Sequence, residues 1–481
     1  MSTLRFSLAD VHGFAAATGD RNPAHVDPLY ARRTPSGAPV VHGALVAAAL
    51  LARLGAAAAR VDEVSVTFHH PVRPGQAYRV NVEPGLLTAR LGPVPVCVVR
   101  YRLAPDPIPA EVLAGRPPEG PPRVLDAAAL GELGPEAATY AADGQALTAA
   151  IGPLSGHLLG ALAWASFWVG MRTPGEAALW CGLRVSFPAS SDPPPGLPPG
   201  HMCARVETPK LDRRTGLLTF DARLAGAVAA RLAISAQCRP AVPLSTRHSV
   251  LPYAGSAPRL EGRLVAVLGG SRGLGRAISL HLALRGAQVL VVSRQASEME
   301  RAQVPEILTA DVDIADGERL AERLAALPGR LDGLVLCAAP PIPALPLDAD
   351  AAEAGAGYVA EAVRQCWTAL GVAAERLHED AFVVLVSSSA LIEPPRLWPH
   401  YVAAMAARES LAAHLAAGRE RRVLVARPPR LWTERTNTLT GRLGAVPVEA
   451  VADWIMRAVD RAGPARLPQL LTWQPDPKEA P

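Results

Sequence analysis

The sequence predicts an antiparallel sheet wrapped around a buried helix, built twice, followed by a parallel, doubly wound α/β domain. Three observations predict it. Two long stretches without a charged side chain, 34–52 and 144–171, each precede a run of short alternating strands. From residue 260 onward, strand and helix patterns alternate, beginning with a glycine-rich turn. Proline-dense or loose segments separate these regions.

In chain order, residues 1–104 contain an apolar helix at 43–54, uncharged as far as residue 52, and strands at 64–68, 78–82 and 95–101. Residues 105–123 carry seven prolines, too many for the interior of an element, and read as a linker. Residues 124–240 repeat the plan, with a helix at 158–171 and strands at 178–187, 202–207, 217–224 and 229–238. A second linker is expected at 241–259. The third domain, 260–473, opens with a strand at 263–268, a helix at 274–285 and a strand at 288–292; 474–481 is a tail.

Composition narrows the function. The 481 residues accommodate roughly three globular units at about 150 per domain. At 49% hydrophobic and 19% charged, the chain is neither disordered nor fibrous. A net charge of +4 is too even to imply nucleic acid or an anionic membrane as partner. The only lysines are Lys210 and Lys478; every other cation is arginine. The six cysteines lack zinc spacing, so no metal is expected. Proline, histidine and glycine interrupt both uncharged stretches, which favours buried helices over spans. The N-terminus lacks an apolar signal core, and a cytoplasmic location is expected.

The segment 18–28 reads Thr18-Gly19-Asp20-Arg21-Asn22-Pro23-Ala24-His25-Val26-Asp27-Pro28. Asn-Pro and Asp-Pro favour a rigid, non-helical loop, which can hold Asp20 and His25 at the fixed separation that acid–base chemistry needs. Farther on, His42-Gly43 opens the apolar helix. The Gly43 N–H lacks an intrahelical partner and, aided by the helix dipole, is suited to polarise a carbonyl oxygen. The bland alternative is that Asp20 and Asn22 merely cap a turn while His25 packs against a strand.

With its Gly19-to-Pro28 loop, the spacer and His42-Gly43, the chain resembles the MaoC-like (R)-specific enoyl-thioester hydratases, which have the hot-dog fold. Residues 71–75, Pro-Val-Arg-Pro-Gly, add to the likeness. The resemblance implies an α+β double hot-dog in the first half of the chain. It also implies Asp20 and His25 as catalytic pair, Gly43 as oxyanion donor, and Asn22 and His42 in support. The reaction implied is reversible syn addition of water to a 2-enoyl thioester, without a cofactor. The second copy has no Asp/Asn-Pro loop; its helix entry is 153–157, followed by Trp164, Trp168 and Met171. It reads as a non-catalytic half whose aromatics line the acyl tunnel, with His157 a core histidine or a ligand contact. Two-copy members of the family usually carry the motif in the later copy; here it lies in the earlier one.

In the third domain, Gly269, Ser271, Arg272, Gly273 and Gly275 lie between a buried strand and a helix, where a pyrophosphate can approach the helix N-terminus. Arg294, after the second strand, is placed to pair a 2′-phosphate, and Asp311 to reach the adenine side. The region 260–459 resembles the short-chain dehydrogenase/reductases, and so implies an α/β Rossmann-type doubly wound sheet. Gly269, Gly273 and Gly275 match that family's glycines, Arg272 and Arg294 its NADP-favouring arginines, and Ser388 and Tyr401 its serine-to-tyrosine spacing. Met405 stands where the family has its catalytic lysine, and residues 337–340, Cys-Ala-Ala-Pro, replace Asn-Asn-Ala-Gly. In that family the lysine's charge lowers the tyrosine pKa and holds the nicotinamide ribose; methionine supplies neither, and His400 or Arg408 is a weak substitute.

The expectation is therefore a dehydratase/hydratase of 3-hydroxyacyl and 2-enoyl thioesters, linked to CoA or an acyl-carrier protein, and acting as a homodimer. Its reductase-like domain is expected to take NADP(H) but to reduce ketones poorly or not at all. The alternatives are a bifunctional 3-ketoacyl-thioester reductase plus dehydratase, and a non-catalytic acyl-binding or carrier-docking module.

Overall fold

The computed structural model describes residues 2–188, 194–255, 257–418 and 421–474. The expected tail, apart from Gln474, lies outside them. The chain forms two compact units, 1–241 and 242–481, divided at the start of the second expected linker.

The first unit is one sheet of eleven antiparallel strands. They are β1 (Ser2–Arg5), β2 (Val61–Phe68), β3 (Ala77–Glu83), β4 (Leu86–Leu91), β5 (Val94–Leu103), β6 (Glu136–Tyr140), β7 (Ala178–Ser186), β8 (Met202–Val206), β9 (Lys210–Asp212), β10 (Leu217–Gly226) and β11 (Ala230–Cys238). The order is β1-β3-β4-β5-β2-β7-β11-β10-β8-β6, with β9 on β10. The two copies meet at β2 and β7, where Val64 pairs with Val185 and Val66 with Leu183, and all four side chains are buried. A half-sheet alone would leave β2 as an open edge; joining the copies removes it.

Each half contributes one central helix, Gly43–Leu51 and Gly156–Phe167, and the two pack against each other. Their uncharged sequences follow from their place. Seven of the nine residues in the first are buried, as is every residue from His157 to Phe167 in the second, and a helix enclosed on all sides tolerates no charge. The first continues as a 3₁₀ segment, Ala52–Arg60, and the second as a π-type turn, Trp168–Arg172. The proline-rich stretch is stitched down by backbone hydrogen bonds, Ile108 N–H to Ala59 and Glu111 N–H to Ala227, at 2.8 and 3.0 Å.

The second unit is a seven-stranded, all-parallel sheet. Its strands are β12 (Leu264–Leu268), β13 (Gln288–Ser293), β14 (Ile307–Asp311), β15 (Leu331–Leu336), β16 (Leu377–Val386), β17 (Arg422–Arg427) and β18 (Gln469–Thr472), in the order β14-β13-β12-β15-β16-β17-β18. Apolar cores lie on both faces, as a doubly wound sheet requires. The segment 241–259, expected as a linker, instead contains the helix Arg247–Ala254. A capping box of Thr246 and Ser249 starts it, and Val250 and Ala254 are buried against the helix Gly273–Leu284.

Candidate active site

Two capped turns set the geometry of the loop after the helix Leu8–Thr18. The Asp20 N–H donates to Thr18 Oγ1 at 3.1 Å. Asn22 Oδ1 accepts the Ala24 N–H at 3.0 Å, capping the turn Pro23–Val26, which carries His25. Asp27 Oδ1 caps the next turn, Pro28–Ala31, through the Leu29 N–H at 2.8 Å. Proline at the first position of each turn is already in helical conformation, so the loop is stiff. Asn22 Nδ2 reaches into the second copy and donates to the carbonyls of Gly170 and Gly175 at 2.9 and 3.1 Å.

Asp20, His25 and His42 come together. One carboxylate or ring atom from each lies within 4.8 Å of the other two. Asp20 is 2% exposed, and Ser166 Oγ donates to its Oδ2 at 2.6 Å while the Asn22 N–H donates to Oδ1 at 3.3 Å. Burial raises the Asp20 pKa; His25 and these two donors pull the other way. His25 is half-buried, and its Nδ1 lies 2.7 Å from the Val40 carbonyl. A carbonyl only accepts, so Nδ1 carries the proton and Nε2 is the basic nitrogen.

His42 is fully buried, caps the helix Gly43–Leu51 and stacks on His25 at 3.8 Å between ring centroids. Its Nε2 donates to the Asp20 carbonyl at 3.0 Å. Burial first, and then His25, hold its pKa well below the ordinary histidine range. It is therefore a neutral strut, with its tautomer set by that carbonyl. Gly43 takes the first position of the central helix, where a Cβ would lie 2.9 Å from the Phe68 ring, so that ring packs closely over the helix start.

The second copy completes the site. Ser166, on its central helix, binds the Asp20 carboxylate, and a side chain at Gly170 would run into that carboxylate. Tyr140 donates to the Thr18 carbonyl at 2.9 Å and braces the loop from β6. Sequence reasoning singles out none of these three. The one available signal is Ser166, a hydroxyl in a helix otherwise apolar around it. His157 accepts or donates at both nitrogens, to Ser155 Oγ at 2.8 Å and the Val61 carbonyl at 2.9 Å, and burial lowers its pKa to about 4. It is a core histidine. Trp164 and Trp168 are fully buried and stacked at 5.3 Å.

In the second unit, Gly269, Ser271, Arg272, Gly273 and Gly275 form the turn between β12 and the helix Gly273–Leu284. A Cβ at Gly275 would strike the Gly269 carbonyl, so strand and helix close up as a pyrophosphate turn requires. Ser293 Oγ donates to Ser271 Oγ at 2.9 Å. Arg272 pairs with two carboxylates, Glu298 at 2.6 Å and Glu434. Arg294 is exposed. Asp311 accepts the Ser297 N–H at 3.0 Å, which lowers its pKa. Ser388 Oγ caps the turn Ser389–Leu391 through the Ala390 N–H at 3.1 Å. Tyr401 packs against the cluster of Tyr358, Ala362, Ala404 and Met405, and Met405 is 1% exposed. The turn fits a dinucleotide pyrophosphate. Beyond it, the apolar Met405 lies buried beside Tyr401.

Comparison with known proteins follows this division. Residues 2–85 match the MaoC like domain, and residues 263–440 match the short chain dehydrogenase family. The chain is 42% identical over 81 residues to a 3-hydroxybutyryl-CoA dehydratase of Methylorubrum extorquens, covering 16% of this chain and 52% of the relative. It is 33% identical over 103 residues to an (R)-specific enoyl-CoA hydratase of Aeromonas caviae, covering 21% of this chain and 75% of the relative. The chain thus spans about half the length of the first relative and three quarters of the second. Among solved structures it is similar to a putative short chain dehydrogenase from Pseudomonas syringae, at 23% identity and a TM-score of 0.40, over 45% of this chain and 96% of that one. A dehydrogenase/reductase from Sinorhizobium meliloti 1021 gives 21% identity and a TM-score of 0.40, over 46% and 97%.

Proposed function

We propose that this chain, which belongs through its first unit to the MaoC-like hydratase family and carries a short-chain dehydrogenase domain behind it, interconverts (3R)-hydroxyacyl and 2-enoyl thioesters. In the hydration direction, the pair Asp20 and His25 takes a proton from water as its hydroxyl adds to the β-carbon. The displaced electron pair moves onto the thioester oxygen, which the Gly43 N–H stabilises, and the pair returns a proton to the α-carbon. A donor of that kind contributes roughly 10²–10³ in rate in other acyl-transfer sites. Water is the only co-reactant. The neutral His42 fixes the Asp20 backbone, and Ser166 holds the carboxylate.

The observation that carries this reading is the buried Asp20 carboxylate beside His25, whose tautomer leaves Nε2 basic. The substrate is taken to be an acyl-CoA or acyl-carrier thioester, and the protein to act in the cytoplasm as a homodimer, without nucleic acid or membrane. The second unit is read as a platform able to take NADP(H) and impaired in ketone reduction. Met405 offers no charge to Tyr401, and Arg272 already faces Glu298 and Glu434.

The test offers crotonyl and 3-hydroxybutyryl groups, each linked to CoA and to a carrier protein, with and without NADPH. Change in enoyl absorbance without nicotinamide consumption supports the reading. Nicotinamide consumption with a 3-ketoacyl thioester shows the second unit to be a working reductase and favours the bifunctional alternative. Silence with every thioester leaves the acyl-binding module.

A further inference from the structure

At the carboxyl edge of the parallel sheet, two guanidinium groups grip one short loop. Arg408, on the helix Pro399–Gly418, donates from Nη2 to the Ala338 carbonyl at 3.0 Å. Arg435, beyond β17, donates from Nη1 to the Pro340 carbonyl at 3.3 Å. Tyr358 OH donates to that same Pro340 carbonyl at 3.4 Å, and Tyr401 packs against Tyr358. Arg408 is 2% exposed; its Nη1 rests 3.7 Å from Met405 Sδ, and its buried Nε has no hydrogen-bond partner among the described residues. Arg435 sits in a crowded cleft, which lowers its pKa, yet its side chain remains open to solvent.

The contrast with Arg272 is the decisive point. Arg272 is compensated by two carboxylates, whereas among the described residues the buried Arg408 has none in ion-pair contact, and the exposed Arg435 forms no ion pair although the Glu434 carboxylate lies nearby. Carbonyls orient a guanidinium but do not neutralise it, and a buried cation without a counter-charge is costly. Two cations and two phenols, so placed, form a donor set for an oxyanion. Guanidinium forks match phosphate geometry. The place agrees, because ligands of open parallel sheets bind outside the carboxyl ends of the strands.

We propose that Arg408 and Arg435, with the phenols of Tyr358 and Tyr401, form a phosphate-binding site in the second unit at the position of the lost reductase centre. The phosphate comes either from a phosphopantetheine arm or from a dinucleotide.

Isothermal titration of the full chain with inorganic pyrophosphate, 4′-phosphopantetheine, unphosphorylated pantetheine and NADPH tests it, on wild type, Arg435→Gln, Arg435→Lys and Tyr358→Phe. Arg435 is solvent-exposed, so its variants should keep the wild-type Tm. At least one phosphate ligand should bind the wild type, about tenfold more weakly to Arg435→Gln, with partial rescue in Arg435→Lys. A smaller loss is expected in Tyr358→Phe, and pantetheine should not bind. Whether the Arg435-dependent ligand is 4′-phosphopantetheine or NADPH identifies the source. Absence of binding by every phosphate probe overturns the proposal, as does binding of equal strength in wild type and Arg435→Gln.

Discussion

Asp20 in the first unit and Met405 in the second stand at the centres of two clusters with different surroundings. Around Asp20 the neighbours hold the carboxylate in place: Ser166 and the Asn22 N–H donate to it, Gly170 leaves room for it, and His42 and Tyr140 brace the loop that carries it. Around Met405 lie Tyr358, Tyr401 and the Arg408 guanidinium, while Arg272 is paired with Glu298 and Glu434. A catalytic site is more than its named residues. It is also the set of partners that fix their protonation, and the two units supply different partners.

The largest expected effects come from breaking the intact side. Asp20→Asn and His25→Ala should each lower kcat for crotonyl-thioester hydration by about 10³-fold, within the usual range for general acid–base groups, with Tm nearly unchanged. Ser166→Ala should cost about tenfold in kcat, the scale of one hydrogen bond to a charge. That serine lowers the Asp20 pKa, so its removal raises it further, and the acidic limb of the pH–rate profile should move to higher pH. A profile that does not move would make Ser166 a packing residue.

Much of this is legible in the sequence because it is local. Proline and asparagine between Gly19 and Pro28 dictate turns whatever surrounds them, and the uncharged helices betray their own burial. The glycine turn is readable from its place between strand and helix. What escapes is non-local. Ser166 meets Asp20 across 146 positions, and Arg272 meets Glu434 across 162. The helix Arg247–Ala254 escapes for another reason: polar residues and Pro252 mask the two apolar side chains that dock it.

In the second unit the expected effects are smaller. Glu298→Gln with Glu434→Gln frees Arg272 and should tighten NADPH binding by about fivefold, consistent with partly exposed ion pairs, without restoring ketone reduction. Titration of NADPH fluorescence reads the first effect, and a 3-ketoacyl assay the second. Restored reduction would show that cofactor affinity, not the missing charge, limits that site.

The smallest effect is thermodynamic. The Asp20 pKa is raised in the fold, so the stability linked to its neutral form is present at low pH and lost as pH rises through the folded pKa. Asp20→Asn keeps the group neutral and should give a slightly higher Tm than wild type at pH 7, with the difference vanishing toward pH 3. Thermal unfolding at a series of pH values measures it.

Hydration of crotonyl-CoA by the full chain in D₂O, with the product's configuration assigned by NMR, puts the Asp20–His25 chemistry to its sharpest trial. The Asp20, His25 and Gly43 site predicts a (3R)-hydroxyacyl product with one deuterium delivered syn to the new hydroxyl, and no such product from His25→Ala. A (3S) or scrambled product, or unchanged turnover in that variant, would contradict it.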